Sequence, residues 1–446
     1  MADGFPSLRL RLALAAYTVL WWLGLPFVLL YLRRRARRDA DYGRWPRERF
    51  GIYPAGVGAR PVWIHAVSLG EMRSAEPLVR ALLNRGESIV LTHFTPAGRR
   101  AAHAAFAPEI AAGRVLPVWV PFELGFAWRR FLRHFAPQYG LVMEIEVWPA
   151  MIMQCRKAAV PLFMCNAQYP SKSFARDTGR TTLRAELMRG FAGALVKSEL
   201  QRDRFAAVGV RNIAVTGETR FDQPIPPHLV KAGRDARVAL GPGRPVIALA
   251  SVVEGEDDLY LSTIAETLTA HEADGCERPF FIYVPRAPER FEEVAAMIAA
   301  RGLRMIRRSE VFGDGLQARA KIAEADILLG NSLGEMYFYL SMADRVIVGG
   351  GFTPKGAHNV IEPLALGKPV IVGPEIWTIE YPAAEAIAAG VCLQVRTAAE
   401  LTAALAPGGA GAVPDDAISA FLAAHAGATE RTLAALPELL AVATSR

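Results

Sequence analysis

The sequence predicts an α/β protein built from two Rossmann-like domains in tandem behind a membrane-anchoring helix. Three observations carry that prediction. Short apolar runs alternate with helical segments along most of the 446 residues, the signature of doubly wound parallel sheets. The alternation stops at one proline-rich stretch, QPIPPHL, and then restarts. An uncharged run from Leu12 to Leu32 stands near the N-terminus.

A chain of 446 residues with 52% apolar content exceeds one ordinary core and fills two domains of roughly 180 residues each. The expected division is an anchor and basic segment over 1–40, a first domain over 41–225, and a second domain with a helical tail over 226–446. About 20 apolar residues suffice to cross a hydrocarbon layer of roughly 30 Å. Arg9 and Arg11 precede the run, and Arg33, Arg34, Arg35, Arg37 and Arg38 follow it. That bias sets the later domains on the cytoplasmic side of an inner, cytoplasmic membrane. The alternative is a monotopic helix, kinked at Pro26, lying in one leaflet with its arginines on anionic headgroups. A cleaved signal would show a shorter apolar core and a small-residue cleavage site. The formal charge of +7 is concentrated at this segment, which points to membrane phosphate and away from nucleic acid. Cys155, Cys165, Cys276 and Cys392 lack C-x-x-C spacing and histidine partners, so no metal site is expected and they read as buried thiols.

The first domain reads as strands PVWIHAV (61–67), SIVLTH (88–93), GRVLPVWVP, YGLVMEIEVWP, VPLFMCNAQ and GALVKS, each followed by a helical stretch. The second reads as PVIALASV (245–252), PFFIYVP, LRMIRR, ADILLG, RVIVGG, KPVIVGP and VCLQV. From about residue 398 the chain is alanine-rich and helical. In open α/β sheets ligands bind beyond the carboxyl ends of the strands, so the loops there hold the candidates.

Glu71 follows the first strand, in Ser68-Leu69-Gly70-Glu71, where a helix begins. A carboxylate there suits a general base, worth about 10² to 10⁴ in rate. It equally suits a helix N-terminus, worth roughly 0.3 to 1 kcal/mol. Glu144 and Glu146 alternate in LVMEIEVWP, which puts them on one face of a strand where unpaired charge is costly; they pair internally or meet substrate. The polar loop 166–176 carries Lys172, Ser173 and Arg176, either a solvated basic loop or a site for an anionic lipid. In the second domain, Gly334-Glu335-Met336 opens a helix and offers free N–H groups to phosphate. Gly349-Gly350-Gly351 ends a strand and would let a ligand lie against main chain. His358 and Asn359 open a further helix with Glu362 on its first turn, either a nucleotide pocket or a capping box. Arg286 ends PFFIYVP and is suited to bidentate binding of a carboxylate, or to pairing with Glu289 or Glu362.

Taken in order, WIHAVSLGE, EIEVWP, the loop NAQYPSKS, VTGETRFD, PRAPERF, LGNSLGEM and GGG…HNVIEPLALGKPVI resemble the 3-deoxy-D-manno-octulosonic acid (Kdo) transferases of lipid A assembly. The resemblance covers most of residues 15–395. It implies a GT-B glycosyltransferase fold, two Rossmann-like domains facing a cleft, with acceptor binding in the first and nucleotide-sugar binding in the second. It further implies inverting transfer from CMP-Kdo to a lipid A precursor, without cofactor or metal. Glu71 matches the family's base. Arg286, Gly334, Glu335, Met336, Gly350, Gly351, His358, Asn359 and Glu362 form the expected CMP-Kdo site; Ser68, Gly70, Glu146, Lys172, Ser173 and Arg176 form the expected acceptor surface.

Departures from the family pattern cluster around the sugar. Val252 and Val253 stand in the S-T-H position, Ala287 replaces a histidine, Gln168 replaces an arginine, Ala150 replaces an asparagine, and Phe352 to Ala357 are inserted after the glycines. They leave open a paralogue with another donor or acceptor, or one that binds lipid without turnover.

Overall fold

The computed structural model describes residues 4–445 apart from 55, 180–182 and 410–412. It divides into two compact units, one of residues 1–223 with 426–446 and the other of residues 224–425.

The first unit holds seven strands: β1 (Val62–His65), β2 (Ile89–His93), β3 (Val115–Trp119), β4 (Gly140–Met143), β5 (Leu162–Ala167), β6 (Gly193–Val196) and β7 (Ile213–Val215). Their order is β3-β2-β1-β4-β5-β6-β7, and every pairing is parallel. A parallel sheet is covered on both faces, and the alternation of the strands sorts their side chains accordingly. Trp63, Val90, Val118, Val142 and Met164 enter one core, with Trp128 and Phe131. Val62, Ile64, Ile89, Leu91, Leu141 and Phe163 enter the other.

The tail corrects the expected domain boundary. Its described residues form the helices Ala398–Leu405, Asp415–His425 and Ala428–Thr444, and the last belongs to the first unit. Leu433, Leu436 and Leu439 supply that unit's second core. Asp222 accepts from Gly427 N at 2.7 Å and Thr429 N at 2.6 Å, fixing the start of this helix, while Arg431 Nε donates to Thr216 O at 3.0 Å. Apolar spacing identifies such a helix but not the sheet it covers.

The second unit has β8 (Val246–Val252), β9 (Phe280–Pro285), β10 (Met305–Arg307), β11 (Ile327–Leu329), β12 (Arg345–Val348), β13 (Val370–Val372) and β14 (Cys392–Gln394), ordered β10-β11-β9-β8-β12-β13-β14 and again all parallel.

Helix α1 (Leu8–Ala36) contains the uncharged run. Leu10, Tyr17, Trp21, Leu25, Val28 and Leu32 are buried or half-buried and recur at helical spacing along one side. Ser7 binds Glu186 through N at 2.8 Å and through Oγ at 2.9 Å, so the start of the helix is tied to the unit. Further along, Trp21 lies 6.0 Å from the Phe122 ring, and near the end Arg35 sits over Tyr42 at 4.8 Å. Both ends and the middle therefore rest on the same domain. The other side exposes Leu12, Leu20, Trp22, Leu23 and Phe27.

Candidate active site

In a doubly wound sheet the loops diverge where strand order reverses, and ligands bind in the crevice they leave. The reversal in the first unit falls between β1 and β4, and in the second between β8 and β12. The loop after β1 carries Ser68 to Glu71 and the loop after β4 carries Glu144 to Trp148. The corresponding loops of the second unit carry Val253 to Glu256 and Gly349 to His358. Sequence position and topology thus select the same loops.

Helix α2 (Leu69–Asn84) starts at Ser68, whose Oγ accepts from Glu71 N at 3.3 Å. Glu71 reaches back in turn. Its Oε2 accepts from Val67 N at 2.7 Å and its Oε1 from Ser68 Oγ at 3.0 Å, a variant of the capping box that ties the amide before the cap. The structural reading of Glu71 is therefore realised, and it does not displace the chemical one. Burial, reinforced by the charges of Glu146 and Glu144, raises the Glu71 carboxyl to about 8 against the opposing pull of those hydrogen bonds. A cap alone favours ionisation; this carboxyl keeps its proton at pH 7 and becomes available as a base as pH rises through about 8. Gly70 lies on the exposed first turn, where a Cβ would be 4.0 Å from Arg220 Nη2.

Glu144 and Glu146 do not share a strand face. β4 ends at Met143, and Glu144 takes φ +59° because its N–H still bonds Cys165 O at 2.9 Å while the chain turns out of the sheet. The two side chains then part. Glu144 accepts from Lys197 Nζ at 2.9 and 3.1 Å and from Asn166 Nδ2 at 3.1 Å. Glu146 accepts from Trp148 Nε1 at 2.6 Å, and burial raises its carboxyl. Asn166, at φ +52°, also donates to Glu218 Oε1 at 2.7 Å, and Lys197 Nζ lies 2.6 Å from Glu218 Oε2. Two non-glycine residues in the left-handed region at the carboxyl ends of neighbouring interior strands, each costing roughly 1–3 kcal/mol, mark a site held by its surroundings.

Lys197, Glu218, Arg220 and Asn166 were not among the expected site residues. Their signal was present: Lys197 ends the apolar run GALVK, and Glu218 and Arg220 lie in VTGETRFD. Arg220 Nε donates to Ser74 Oγ at 2.7 Å and Nη2 lies 3.6 Å from Glu144. Lys172, Ser173 and Arg176 lie on the short helix Ser171–Thr178. Lys172 and Arg176 are exposed there, and Arg176 Nε binds Asp177 at 3.1 Å.

In the second unit the three glycines answer first to packing within the protein. A Cβ at Gly349 would meet Ser251 O at 2.5 Å, one at Gly350 would meet Gly356 O at 2.2 Å, and one at Gly351 would meet Gly373 N at 2.6 Å. Close approach of neighbouring loops is enough to require glycine at these three positions. Glu256 holds the turn from inside: fully buried, it accepts from Gly350 N at 2.7 Å, Phe352 N at 3.0 Å, Val253 N at 3.2 Å and Tyr260 Oη at 3.2 Å. Gly350, at φ +94°, tolerates neither a Cβ nor the clash. Gly350→Ala is expected to lower the unfolding free energy by at least about 2 kcal/mol in urea titration.

Arg286 pairs neither with Glu289 nor with Glu362. Its Nη1 donates to His358 Nδ1 at 2.7 Å. Burial and the Arg286 charge lower His358 to about 4, so the ring is neutral, and accepting at Nδ1 leaves its proton on Nε2. That Nε2 is buried without a hydrogen-bond partner among the described residues. Arg286 and His358 thus present one cation and one unsatisfied donor from opposite sides of the reversal. Asn359 Oδ1 accepts from Ile361 N at 2.9 Å, and the helix begins at Ile361, with Glu362 half-buried on its first turn. Asn359 closes that turn through its own side chain. Glu335 is engaged by Arg308 at 2.5 and 2.7 Å and by Ser332 Oγ at 2.5 Å, directly before the helix Met336–Met342. Gly334, at φ +80°, adjoins open space.

Residues 44–223 match the family described as 3-deoxy-D-manno-octulosonic-acid transferase (kdotransferase). A 3-deoxy-D-manno-octulosonic acid transferase of Bordetella pertussis is 40% identical over 426 residues, covering 93% of this chain and 96% of that protein. The chain belongs to the 3-deoxy-D-manno-octulosonic acid transferase family. Among solved structures, the fold of this Kdo transferase family member is similar to that of a glycosyltransferase from Rickettsia africae, at TM-score 0.55 and 12% identity over 85% of this chain and 99% of the other. It is similar as well to a putative UDP-N-acetylglucosamine 2-epimerase from Listeria monocytogenes, at TM-score 0.56 and 14% identity over 85% and 96%. These two share the GT-B architecture, so the transferase is a glycosyltransferase by sequence family and a GT-B protein by fold.

Proposed function

We propose that the chain transfers Kdo from CMP-Kdo to a hydroxyl of a lipid A precursor at a membrane surface, with Glu71 as the general base. The observation that carries the reading is the Glu71 carboxyl, raised to about 8 at the strand-order reversal of the first unit. An acceptor hydroxyl gives its proton to Glu71 as its oxygen forms the bond to the anomeric carbon, and the bond from that carbon to the CMP phosphate oxygen breaks. The negative charge leaves on CMP. Arg286 and the Nε2–H of His358 are suited to the anionic donor, on the phosphate or on the sugar carboxylate. Exposed Lys172 and Arg176 suit a phosphorylated acceptor. Gly334, Met336, Asn359 and Glu362 remain candidates for the nucleotide, while Glu335 is tied to Arg308 and acts through the shape of its loop.

The anchor reading favours the monotopic alternative. An apolar helix bound to its own domain from Ser7 to Arg35 has protein along one side and leaves the other for one leaflet. On this reading the arginines after the helix meet anionic headgroups on the cytoplasmic side of the inner membrane. The deciding experiment is mass spectrometry of lipid products after incubating the protein with a lipid A precursor and CMP-Kdo. A Kdo-bearing product supports the proposal; product only with a UDP- or GDP-sugar overturns the donor.

A further inference from the structure

A cavity of about 360 Å³ lies between α1 and the loops that follow β3 and β4. Its walls are mostly apolar, with Trp21, Val28 and Leu32 from the helix and Phe122, Val147 and Trp148 from the domain. The volume falls in the range of ligand pockets, about 300–1,000 Å³. One of its lining residues is Arg49, only 2% exposed. The Nε, Nη1 and Nη2 atoms of Arg49 are all buried, and none has a hydrogen-bond partner among the described residues. The guanidinium is stacked among rings, 4.5 Å from the centroid of Trp119, 5.7 Å from that of Phe94 and 5.8 Å from that of Phe122. Aromatic faces attract a cation but supply no acceptor for its five N–H groups.

The nearby carboxylates are already used. Glu48 binds Arg99 at 2.7 and 3.2 Å and accepts from Trp119 N at 2.7 Å. Glu123, which lines the same cavity, accepts from Ala150 N at 2.6 Å, Trp128 Nε1 at 2.8 Å, Met151 N at 3.1 Å and Tyr17 Oη at 3.4 Å. A buried guanidinium without a counter-ion is costly, and an anion entering the cavity would relieve that cost. The anion's carrier has to be amphiphilic, because the remaining walls are apolar and one of them is the helix whose outer side exposes Leu20, Leu23 and Phe27.

We propose that this cavity is a subsite for the acceptor lipid, with a phosphate on Arg49 and one acyl chain along α1. The inference rests on the acceptor assignment made above, and Trp148 links it to the base. Its indole lines the cavity and donates to Glu146, one of the two carboxylates that raise Glu71. An amphiphile seated here approaches the loop that carries the chemistry, which favours the substrate over a bulk phospholipid.

The test uses the full-length protein in phosphatidylethanolamine vesicles with a lipid A precursor bearing a photoreactive acyl chain, and no sugar donor. Expected is labelling of peptides containing Trp21–Leu32 or Phe122–Trp148, competed by unlabelled precursor but not by its dephosphorylated form or by phosphatidylglycerol. Labelling elsewhere, or equal competition by phosphatidylglycerol, overturns the proposal. Because this readout needs no turnover, it fails independently of the donor assignment. In the transfer assay, Arg49→Ala is expected to raise the KM for the phosphorylated acceptor about tenfold or more, with kcat within about threefold, and to leave the dephosphorylated acceptor unaffected. Arg49→Lys should recover part of the KM. Equal effects on both acceptors would make Arg49 a packing residue; if Arg49→Ala does not fold, the wild-type competition decides.

Discussion

Glu71→Gln is expected to lower kcat about 100- to 10,000-fold while leaving the protein at least as stable as the wild type at pH 7.5. The two halves of this expectation have different physical origins. Glutamine keeps one carbonyl oxygen for Val67 N and turns its amide N–H toward Ser68 Oγ, which can accept, so both contacts at the helix start can be kept. It cannot accept the proton of an acceptor hydroxyl. The stability half follows from linkage. Burial and the two neighbouring glutamates raise the folded-state value to about 8, above the ordinary carboxylate value of 4.5. Between those values the unfolded chain ionises freely and the folded chain does not, so the wild type loses stability as pH rises through this window. Glutamine has no such loss. The difference in melting temperature should therefore be near zero at pH 4.5 and grow in favour of the variant up to about pH 8. The kcat/KM of the wild type should rise with pH through the same upper value, and the residual rate of the variant should not. Transfer within a few-fold of wild type would remove Glu71 from the base role, whatever the melting curves show.

Glu71 was legible because a strand, a small-residue turn and a helix start can be read from local residue types. Glu144 was visible but misassigned. The run LVMEIEV alternates like a strand, and alternation does not report that the backbone leaves the sheet at Glu144 with φ +59°. The glycine triplet was legible at its strand end, but the packing that requires glycine there was not. What crowds Gly350 is the carbonyl of Gly356 and what crowds Gly351 is the amide of Gly373, contacts that no spacing along the chain expresses. The final helix was legible as a helix, whereas its attachment to the first unit depends on Asp222, some 200 residues earlier. Arg49 has no role in the sequence reading, where it simply falls in the first domain. Only the fold reveals it as a buried cation beside the helix that begins at Leu8. Local patterns reported elements and strand-end residues well; pairing across distant segments decided which charges are satisfied.

Lys197→Met is the corresponding expectation for stability, a loss of about 3–5 kcal/mol in urea unfolding. Lys197 and Glu218 are 3% and 1% exposed, and the ammonium stands between Glu218 at 2.6 Å and Glu144 at 2.9 Å. Removing it leaves two carboxylates with Asn166 and Arg220 as their remaining partners. Burial by itself would raise Glu218; in the wild type Lys197 and Arg220 outweigh it and hold the carboxyl below its ordinary value. That lowered value makes Glu218 a stabilising group at neutral pH, with the contribution lost as pH falls through the folded value. In the variant burial dominates and the sign reverses: the folded state binds the proton more tightly than the unfolded chain, so stability falls as pH rises above the ordinary carboxylate range. The cost of the substitution should therefore be larger at pH 8 than at pH 5. Adding Glu218→Gln to Lys197→Met should recover part of the loss at pH 8, because it removes a buried charge that Lys197 no longer balances. A cost independent of pH, or a double variant no more stable than the single one, would assign Lys197 to packing and not to charge balance.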